Sequence, residues 1–185
     1  MKAELLLHHC CAPCSVRVVG KLEENFGLQS FWFNPNIHPL EENARRRDSL
    51  ARFAASRNLP LHFGPEYPEK LWLDTARSCG GTRCSFCYSV RLRETAKKAR
   101  SLGLKYFSTT LLASPYQKHE LIREAALAAA AGENVEFYYE DFRPYFFEGK
   151  TEARKLGYYL QKYCGCGFSK EERENEKRQA AGAKR

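Results

Sequence analysis

Residues 3–14, AELLLHHCCAPC, decide the fold, because a short apolar run leads directly into a cysteine-rich turn and then into helical sequence. The consecutive leucines are typical of a buried strand. The residues after the turn carry apolar side chains at helical spacing, which predicts a helix near 14–26. The turn CCAPC has no glycine, so a triphosphate could not approach its backbone closely, and an ATP-binding loop of that kind is not expected here.

The alternation of strand and helix continues along the whole chain. Strands are predicted near 3–9, 29–33, 60–63, 105–109 and 135–139, and helices near 14–26, 39–57, 86–102, 116–131 and 151–163. This rhythm predicts the α/β fold class: a single three-layer domain with a mainly parallel, twisted sheet, Rossmann-like in its arrangement. We expect one catalytic domain over residues 1–168 and a charged C-terminal tail over 169–185, either frayed helix or disordered.

Seven of the eight cysteines fall into three tight clusters that are far apart in the sequence. Metal sites need this spacing, because one short turn can direct two thiolates at a metal while distant turns supply the others. Ligands of open α/β sheets bind beyond the carboxyl ends of the strands, so we expect a metal site there. Cys79 has no close partner and is interpreted as a core residue or bystander. The clustered residues are Cys10, Cys11, Cys14, Cys84, Cys87, Cys164 and Cys166.

The count of seven favours iron and sulfide over zinc, although a structural zinc site remains an alternative. One zinc ion takes four ligands, so seven cysteines are too many for one site and too few for two. If Cys10 and Cys11 continue the first strand, their side chains point to opposite faces and do not bind the same ion. Four thiolates suffice for a cubane cluster, which leaves three for a further iron. Disulfides are not expected, because the N-terminus lacks a signal-peptide core and a reducing compartment is predicted.

The length and composition predict a cytoplasmic protein with one core. The chain has 185 residues and 43% hydrophobic content. It has no apolar run long enough to cross a bilayer, so no membrane partner is expected. The net charge of +8 is concentrated between residues 75 and 106, where Glu94 is the only acid. A basic helix next to cysteines is typical of a surface that binds a nucleic-acid backbone, and Arg91 is predicted to contact phosphate.

Four further residues lie at predicted strand ends or at the start of a helix. Tyr116 and Gln117 can stack on and hydrogen-bond to an unstacked base. Asp141 and Arg143 are interpreted as an acid and a substrate clamp, with a loop-fixing salt bridge as the alternative. His8 and His9 precede the cysteines and are expected to be packed in the core more often than to bind metal.

Six motifs together resemble the cobalamin-independent epoxyqueuosine reductase family, QueH, from about residue 4 to 169. They are HHCCAPC, NPNIHP, RCSFCYSVRL, TTLLASPYQ, EDFRP and YCGCGFS, and they occur in the family's order. The resemblance implies reduction of epoxyqueuosine to queuosine at the wobble position of tRNA. It also implies a [4Fe-4S] cluster beside a second, mononuclear iron, both bound by the seven clustered cysteines.

The resemblance leaves the division of ligands open. We expect Cys84 and Cys87 to bind the cluster with one cysteine from each of the other two groups, and the remaining three to bind the single iron. Some relatives use an aspartate as an iron ligand; if Cys14 occupies that position, this chain has an all-thiolate iron site. Tyr116 and Asp141 are the predicted catalytic residues, and Arg91, Gln117 and Arg143 are predicted to bind the tRNA with Tyr116.

The expected partners are a tRNA with a queuosine-type wobble base and an external electron donor such as a ferredoxin or flavodoxin. Two other functions remain as alternatives. A zinc-stabilised RNA-binding module would share the cysteines and the basic surface. A tRNA sulfur-transfer enzyme would share the cluster but would need an activated base, and the absence of a glycine-rich loop counts against it.

Overall fold

A computed structural model describes residues 2–182 of the chain, with side chains described as far as residue 179. It contains a five-stranded sheet in the order β3-β2-β1-β4-β5, in which all neighbouring strands are parallel. The predicted α/β fold is confirmed. The strands are β1 (Ala3–His8), β2 (Phe26–Trp32), β3 (Leu61–Phe63), β4 (Tyr106–Thr109) and β5 (Glu136–Phe137).

Helices form two groups around this sheet. In one group α1 packs against α6 and α2, and in the other α4 packs against α5 and α3. Leu5, Leu6 and Leu7 of the central strand are almost fully buried, as expected for a parallel strand covered on both faces. The helices are α1 (Ala12–Leu22), α2 (Leu40–Ser56), α3 (Glu69–Ser78), α4 (Arg83–Ser101), α5 (His119–Glu133), α6 (Phe146–Lys155) and α7 (Gly167–Gly182).

Two helices differ from the sequence predictions in ways that affect the site. The helix predicted over 151–163 is α6, which starts earlier and ends at Lys155, because Gly157 has a φ of 70° that breaks the helix. Cys164 is therefore carried by an irregular segment and not by a helix end. The predicted tail from residue 169 forms most of α7, while residues 183–185 lie outside the described part of the chain.

The sheet topology directs three loops to one edge. From β1 the chain adds β2 and β3 on one side of the sheet and then β4 and β5 on the other. The strand order therefore reverses between the neighbouring strands β1 and β4. Crevices at such switch points are where open α/β sheets bind ligands. The loops after β1, β2 and β4 meet there. Among residues 2–182, no helix has both the length and the apolar character that a membrane span needs.

Candidate metal centre and substrate cavity

The three cysteine clusters converge on one cavity at this sheet edge, with a volume of about 1000 Å³. Cys11 lies behind the wall, at 2% exposure. All eight cysteines are free thiols. The cavity is lined by six of the seven clustered cysteines: Cys10, Cys14, Cys84, Cys87, Cys164 and Cys166.

The first cluster forms a compact group of three thiols. The Sγ atoms of Cys10, Cys11 and Cys14 all lie within 4.8 Å of one another, and those of Cys10 and Cys11 are 3.7 Å apart. Two thiolates on one tetrahedral ion, each about 2.3 Å from the metal, are about 3.8 Å apart. These three thiols can therefore share a single metal ion.

This geometry corrects the expectation that Cys10 and Cys11 point to opposite faces. Strand β1 ends at His8, and Cys11 is already the N-cap of α1, so neither cysteine follows the alternation of the strand. The hydroxyl of Thr110 also fixes Cys10: it accepts a hydrogen bond from the Cys10 backbone N–H at 2.9 Å and lies 3.2 Å from its Sγ.

The other four thiols come from α4 and from the irregular segment before α7. Cys84 and Cys87 lie one helical turn apart in the first part of α4. Burial raises the pKa of Cys87 to about 11, whereas a hydrogen bond from the Cys166 thiol lowers the pKa of Cys164 to about 6. Of the hydrogen-bonded pair Cys164 and Cys166, Cys164 is therefore the one that more readily forms a thiolate ligand at neutral pH.

The two histidines before the cysteines are core residues. His8 Nδ1 lies 2.8 Å from Thr109 Oγ1, and His9 Nδ1 lies 2.7 Å from Ser15 Oγ. Both rings are fully buried, and this burial lowers the pKa of each to about 3. Their partners tie β1 to β4 and to α1, which agrees with the packing interpretation.

Arg91 is buried inside the site and does not lie on the outer face of α4. It is 2% exposed, donates to Asn34 Oδ1 at 2.5 Å, and has its Nη1 3.9 Å from Cys87 Sγ. Its positive charge acts to lower the pKa values of Cys10, Cys87 and Cys164. The predicted contact between Arg91 and tRNA phosphate stays a prediction, and this burial limits it to a phosphate that enters the cavity.

Most of the basic segment around α4 is also paired. Five of its eight cations form salt bridges, so the face expected to bind phosphate carries less free charge than the sequence indicates. The pairs are Arg77–Asp74, Arg83–Glu172, Lys97–Glu94, Arg100–Glu133 and Lys105–Glu136. The cavity lining adds five further cations and two acids: Lys118, Lys150, Lys162, Arg173 and Lys177, with Glu172 and Glu176.

A buried ion pair of α2 holds the segment that carries Cys164. Arg46 donates to Glu42 Oε1 at 2.7 Å and to the backbone oxygens of Cys164 and Tyr163, both at 3.1 Å. Tyr159 donates to Glu42 Oε2 at 2.7 Å. The backbone N–H of His38 also donates to Gly165 O at 2.8 Å. These contacts position the last cysteine turn against the loop after β2.

Tyr116 and Gln117 are neighbours in sequence that both line the cavity but differ in their contacts. The Nε2 of Gln117 lies 3.8 Å from Cys164 Sγ, and its Oε1 accepts a hydrogen bond of 2.7 Å from Tyr88. Tyr116 is 78% exposed at the cavity mouth. The structure thus brings Gln117 to the cysteines and leaves Tyr116 at the rim, away from where a reacting group would meet them.

Asp141 and Arg143 pair with each other outside the described cavity lining. Arg143 donates to both carboxylate oxygens of Asp141, at 2.8 and 3.0 Å from Nε and 2.6 Å from Nη2. This hydrogen bonding lowers the pKa of Asp141 to about 2. Their roles as acid and clamp stay predictions, and the geometry favours the alternative of a salt bridge that fixes the loop.

Sequence reasoning missed three residues that contact the site. Thr110 lies within a motif that the sequence had marked, but only the β1–β4 pairing places it against Cys10. Gln161, whose Nε2 is 2.8 Å from Cys11 Sγ, has no sequence signal. Arg46 gave no signal in the sequence, because the acids Glu42 and Asp48 nearby offset its charge.

These features define a class of protein: an α/β domain with a cysteine-lined cavity for metal at the carboxyl edge of a parallel sheet. The family described as epoxyqueuosine reductase QueH matches residues 5–172 of the chain. The chain therefore belongs to this family of oxidoreductases, as the six motifs indicated.

Curated members of this family are similar to this chain over nearly its whole length. Epoxyqueuosine reductase QueH of Dehalococcoides mccartyi is 34% identical over 174 residues, covering 94% of this chain and 96% of the relative. That of Thermotoga maritima is 34% identical over 178 residues, covering 91% of each. A solved structure, the U34-tRNA thiolase NcsA from Methanococcus maripaludis with its [4Fe-4S] cluster, has a TM-score of 0.47 at 14% identity, covering 84% of this chain and 66% of that one. That likeness is too weak to support an argument.

Proposed function

We propose that this protein reduces the epoxide of epoxyqueuosine to the alkene of queuosine at the wobble position of tRNA. Family membership supports the reaction. The observation that carries the proposal is that six thiols from three distant segments line one cavity, with the seventh, Cys11, within 4.8 Å of Cys10 and Cys14. In balance, both carbon–oxygen bonds of the epoxide break, a carbon–carbon double bond forms, and the oxygen leaves as water after taking up two electrons and two protons.

The thiols have the chemistry to hold a [4Fe-4S] cluster and a separate iron. Cys84 and Cys87 would bind the cluster with one thiolate from each of the other two groups, and the remaining three thiolates would bind the single iron. When bound, these centres supply electrons and a Lewis acid for the epoxide oxygen, which side chains alone cannot supply.

The chain's own residues would prepare the cavity for this chemistry. Arg91, held by Asn34 and itself 2% exposed, places a fixed positive charge beside the thiolates, which would stabilise a negatively charged centre. Gln117, whose Oε1 accepts from Tyr88, directs its amide toward Cys164 at the point where a base would enter. Its amide N–H groups can then meet a base edge or a substrate hydroxyl.

Electrons must come from an external donor, because a bound cluster would pass on only the electrons that it receives. A ferredoxin or flavodoxin is the class of donor we propose. The tRNA would lie across the cationic cavity mouth with the wobble base inserted toward the thiols.

The test is turnover of epoxyqueuosine-containing tRNA by protein purified under anaerobic conditions. Iron and acid-labile sulfide are measured first, and the nucleosides are then analysed by mass spectrometry after incubation with dithionite-reduced ferredoxin or flavodoxin. We expect iron in excess of sulfide by about one equivalent and conversion to queuosine.

A matched pair of cysteine variants gives the control. Cys84→Ala should lose sulfide and activity, whereas Cys79→Ala should keep both, since Cys79 caps α3 outside the described cavity lining. Zinc without sulfide in a colourless protein, or sulfur incorporation into tRNA in place of epoxide reduction, would overturn the proposal.

A further inference from the structure

Three aromatic rings form a continuous edge-to-face cluster, which we call the rim platform: Tyr116 and Phe146, which line the cavity, and Phe147, which packs on Phe146. The ring centroids of Tyr116 and Phe146 are 5.8 Å apart, and those of Phe146 and Phe147 are 5.2 Å apart. Tyr116 is 78% and Phe147 67% exposed. Large aromatic side chains grouped on the surface mark a binding surface more often than isolated ones do.

The rim platform lies beside positive charge. Lys150 places its Nζ 5.9 Å from the centroid of Phe146, and Lys118 follows Tyr116 by two residues. Both lysines line the cavity with Tyr116 and Phe146, and neither forms a salt bridge among the residues that the structure describes. Exposed aromatic faces combined with free cations are the combination that binds single-stranded nucleic acid, through base stacking and phosphate contacts.

The position of the platform excludes the reacting base as its ligand. The reacting base must reach the thiols inside the cavity, where Gln117 lies 3.8 Å from Cys164. Tyr116 lines the same cavity but is 78% exposed and packs edge-to-face on Phe146, so its exposed ring surface is available to a base that remains outside. In a flexible loop whose wobble base has entered the cavity, the parts left outside are the neighbouring nucleotides.

We propose that the rim platform stacks on the base of a nucleotide adjacent to the wobble nucleotide, and that Lys118 and Lys150 contact the flanking phosphates. The inference rests on the proposed function, whose substrate it specifies further. It gives Tyr116 the task of holding the RNA and not a part in the chemical step.

The experiment pairs a protein change with an RNA change. The protein variant is Tyr116→Leu with Phe147→Leu, two exposed positions whose change should not disturb the core. The RNA is an epoxyqueuosine-containing anticodon stem-loop, intact or with an abasic site at the 5′ or the 3′ neighbour of the wobble nucleotide. Binding is measured on metal-loaded enzyme without reductant, and turnover with reductant.

We expect wild-type enzyme to bind the stem-loop about tenfold more weakly when one neighbouring base is removed, the scale of one lost stacking contact. The double variant should bind the intact stem-loop about tenfold more weakly and be insensitive to the abasic site. Its KM should rise while kcat stays within about twofold, because the platform does not touch the reacting atoms.

The matched control is Phe63→Leu, which alters a ring that is 53% exposed at the end of β3, outside the described cavity lining, and should behave as wild type. Additive effects of the protein and RNA changes would show that the rim platform does not stack on the neighbouring base, while leaving the proposed function intact. A wild-type dimer that becomes monomeric in the double variant would also overturn it, since the rings would then cover a second copy. Wild-type enzyme that neither binds nor reduces the stem-loop would overturn the proposed function together with this inference.

Discussion

The two outer cysteine turns, residues 10–14 and 163–167, reach the same cavity by different means. The first follows the central strand of the sheet and leads into α1, with Cys11 and Cys14 buried in the main core. The second belongs to an irregular segment between α6 and α7, and Cys164 is exposed. The first turn is placed by the fold itself, whereas side chains of α2 hold the second.

This difference teaches where the site is vulnerable. A turn buried among β1, β4 and α1 moves only if the core moves. A turn held by Arg46, Glu42 and Tyr159 can be released by one substitution while the sheet stays intact. The following changes test that contrast, from the largest expected effect to the smallest.

Arg46→Met should have the largest effect. It leaves Glu42 buried without its partner and removes both hydrogen bonds to the 163–164 backbone. Breaking a buried pair in this way costs about 3–5 kcal/mol. Urea unfolding of metal-free protein, followed by circular dichroism, measures the loss, and sulfide content should fall with it. Arg47→Met, at an exposed position paired only with Asp48, should change stability by about 0.5 kcal/mol or less. Equal effects of the two variants would contradict the role of Arg46 in holding the second cysteine turn.

Gly165→Ala tests the same turn through its backbone. Gly165 has a φ of 123°, and an added Cβ would lie 2.9 Å from Ile37 Cγ1 and 3.1 Å from Arg46 Nη1. Strain and overpacking together should cost about 2–3 kcal/mol in urea unfolding. The control is Gly20→Ala within α1, where an added Cβ meets nothing within 4 Å. The higher helix propensity of alanine should raise the free energy of unfolding by about 0.5–1 kcal/mol. An unaffected Gly165 variant would show that this turn adapts freely.

Thr110→Val probes the first turn. The substitution keeps the shape but removes the acceptor for the Cys10 backbone N–H, so it should cost about 1–2 kcal/mol. Iron content should stay near the wild-type value, because the core still places the turn. Thr75→Val, in an exposed helix where the hydroxyl bonds only to Leu71 O, serves as the control and should be nearly neutral. Complete loss of iron in the Thr110 variant would mean that this turn depends on single side chains as much as the last one does.

Asp141→Asn should have the smallest effect, since it lies outside both turns. Its pKa is lowered by Arg143 to about 2, so whatever the pair contributes to stability is present at neutral pH and lost only as the pH falls toward 2. We expect kcat within about twofold of wild type and an unchanged melting temperature at pH 7. A loss of kcat by about a hundredfold or more would instead support the predicted catalytic acid.

The contrast between the turns also explains what the sequence could predict. The strand-to-helix periodicity predicted β1, β4 and their neighbours, and the cysteine spacing predicted which thiols come together at one site. The direction of Cys10 and Cys11 could not be predicted, because it depends on the strand ending at His8, two residues before the cysteines. The burial of Arg91 depends on Asn34, which is distant in sequence.

The first and last cysteine clusters lie near opposite ends of the sequence, and this separation has a thermodynamic consequence. A metal centre that joins thiolates from the first and last clusters would close a loop containing most of the chain. Closing so long a loop reduces the conformational entropy of the unfolded state, as a disulfide between the same segments would. The centre would then stabilise the protein as a removable cross-link, and its binding free energy would become part of the folding free energy.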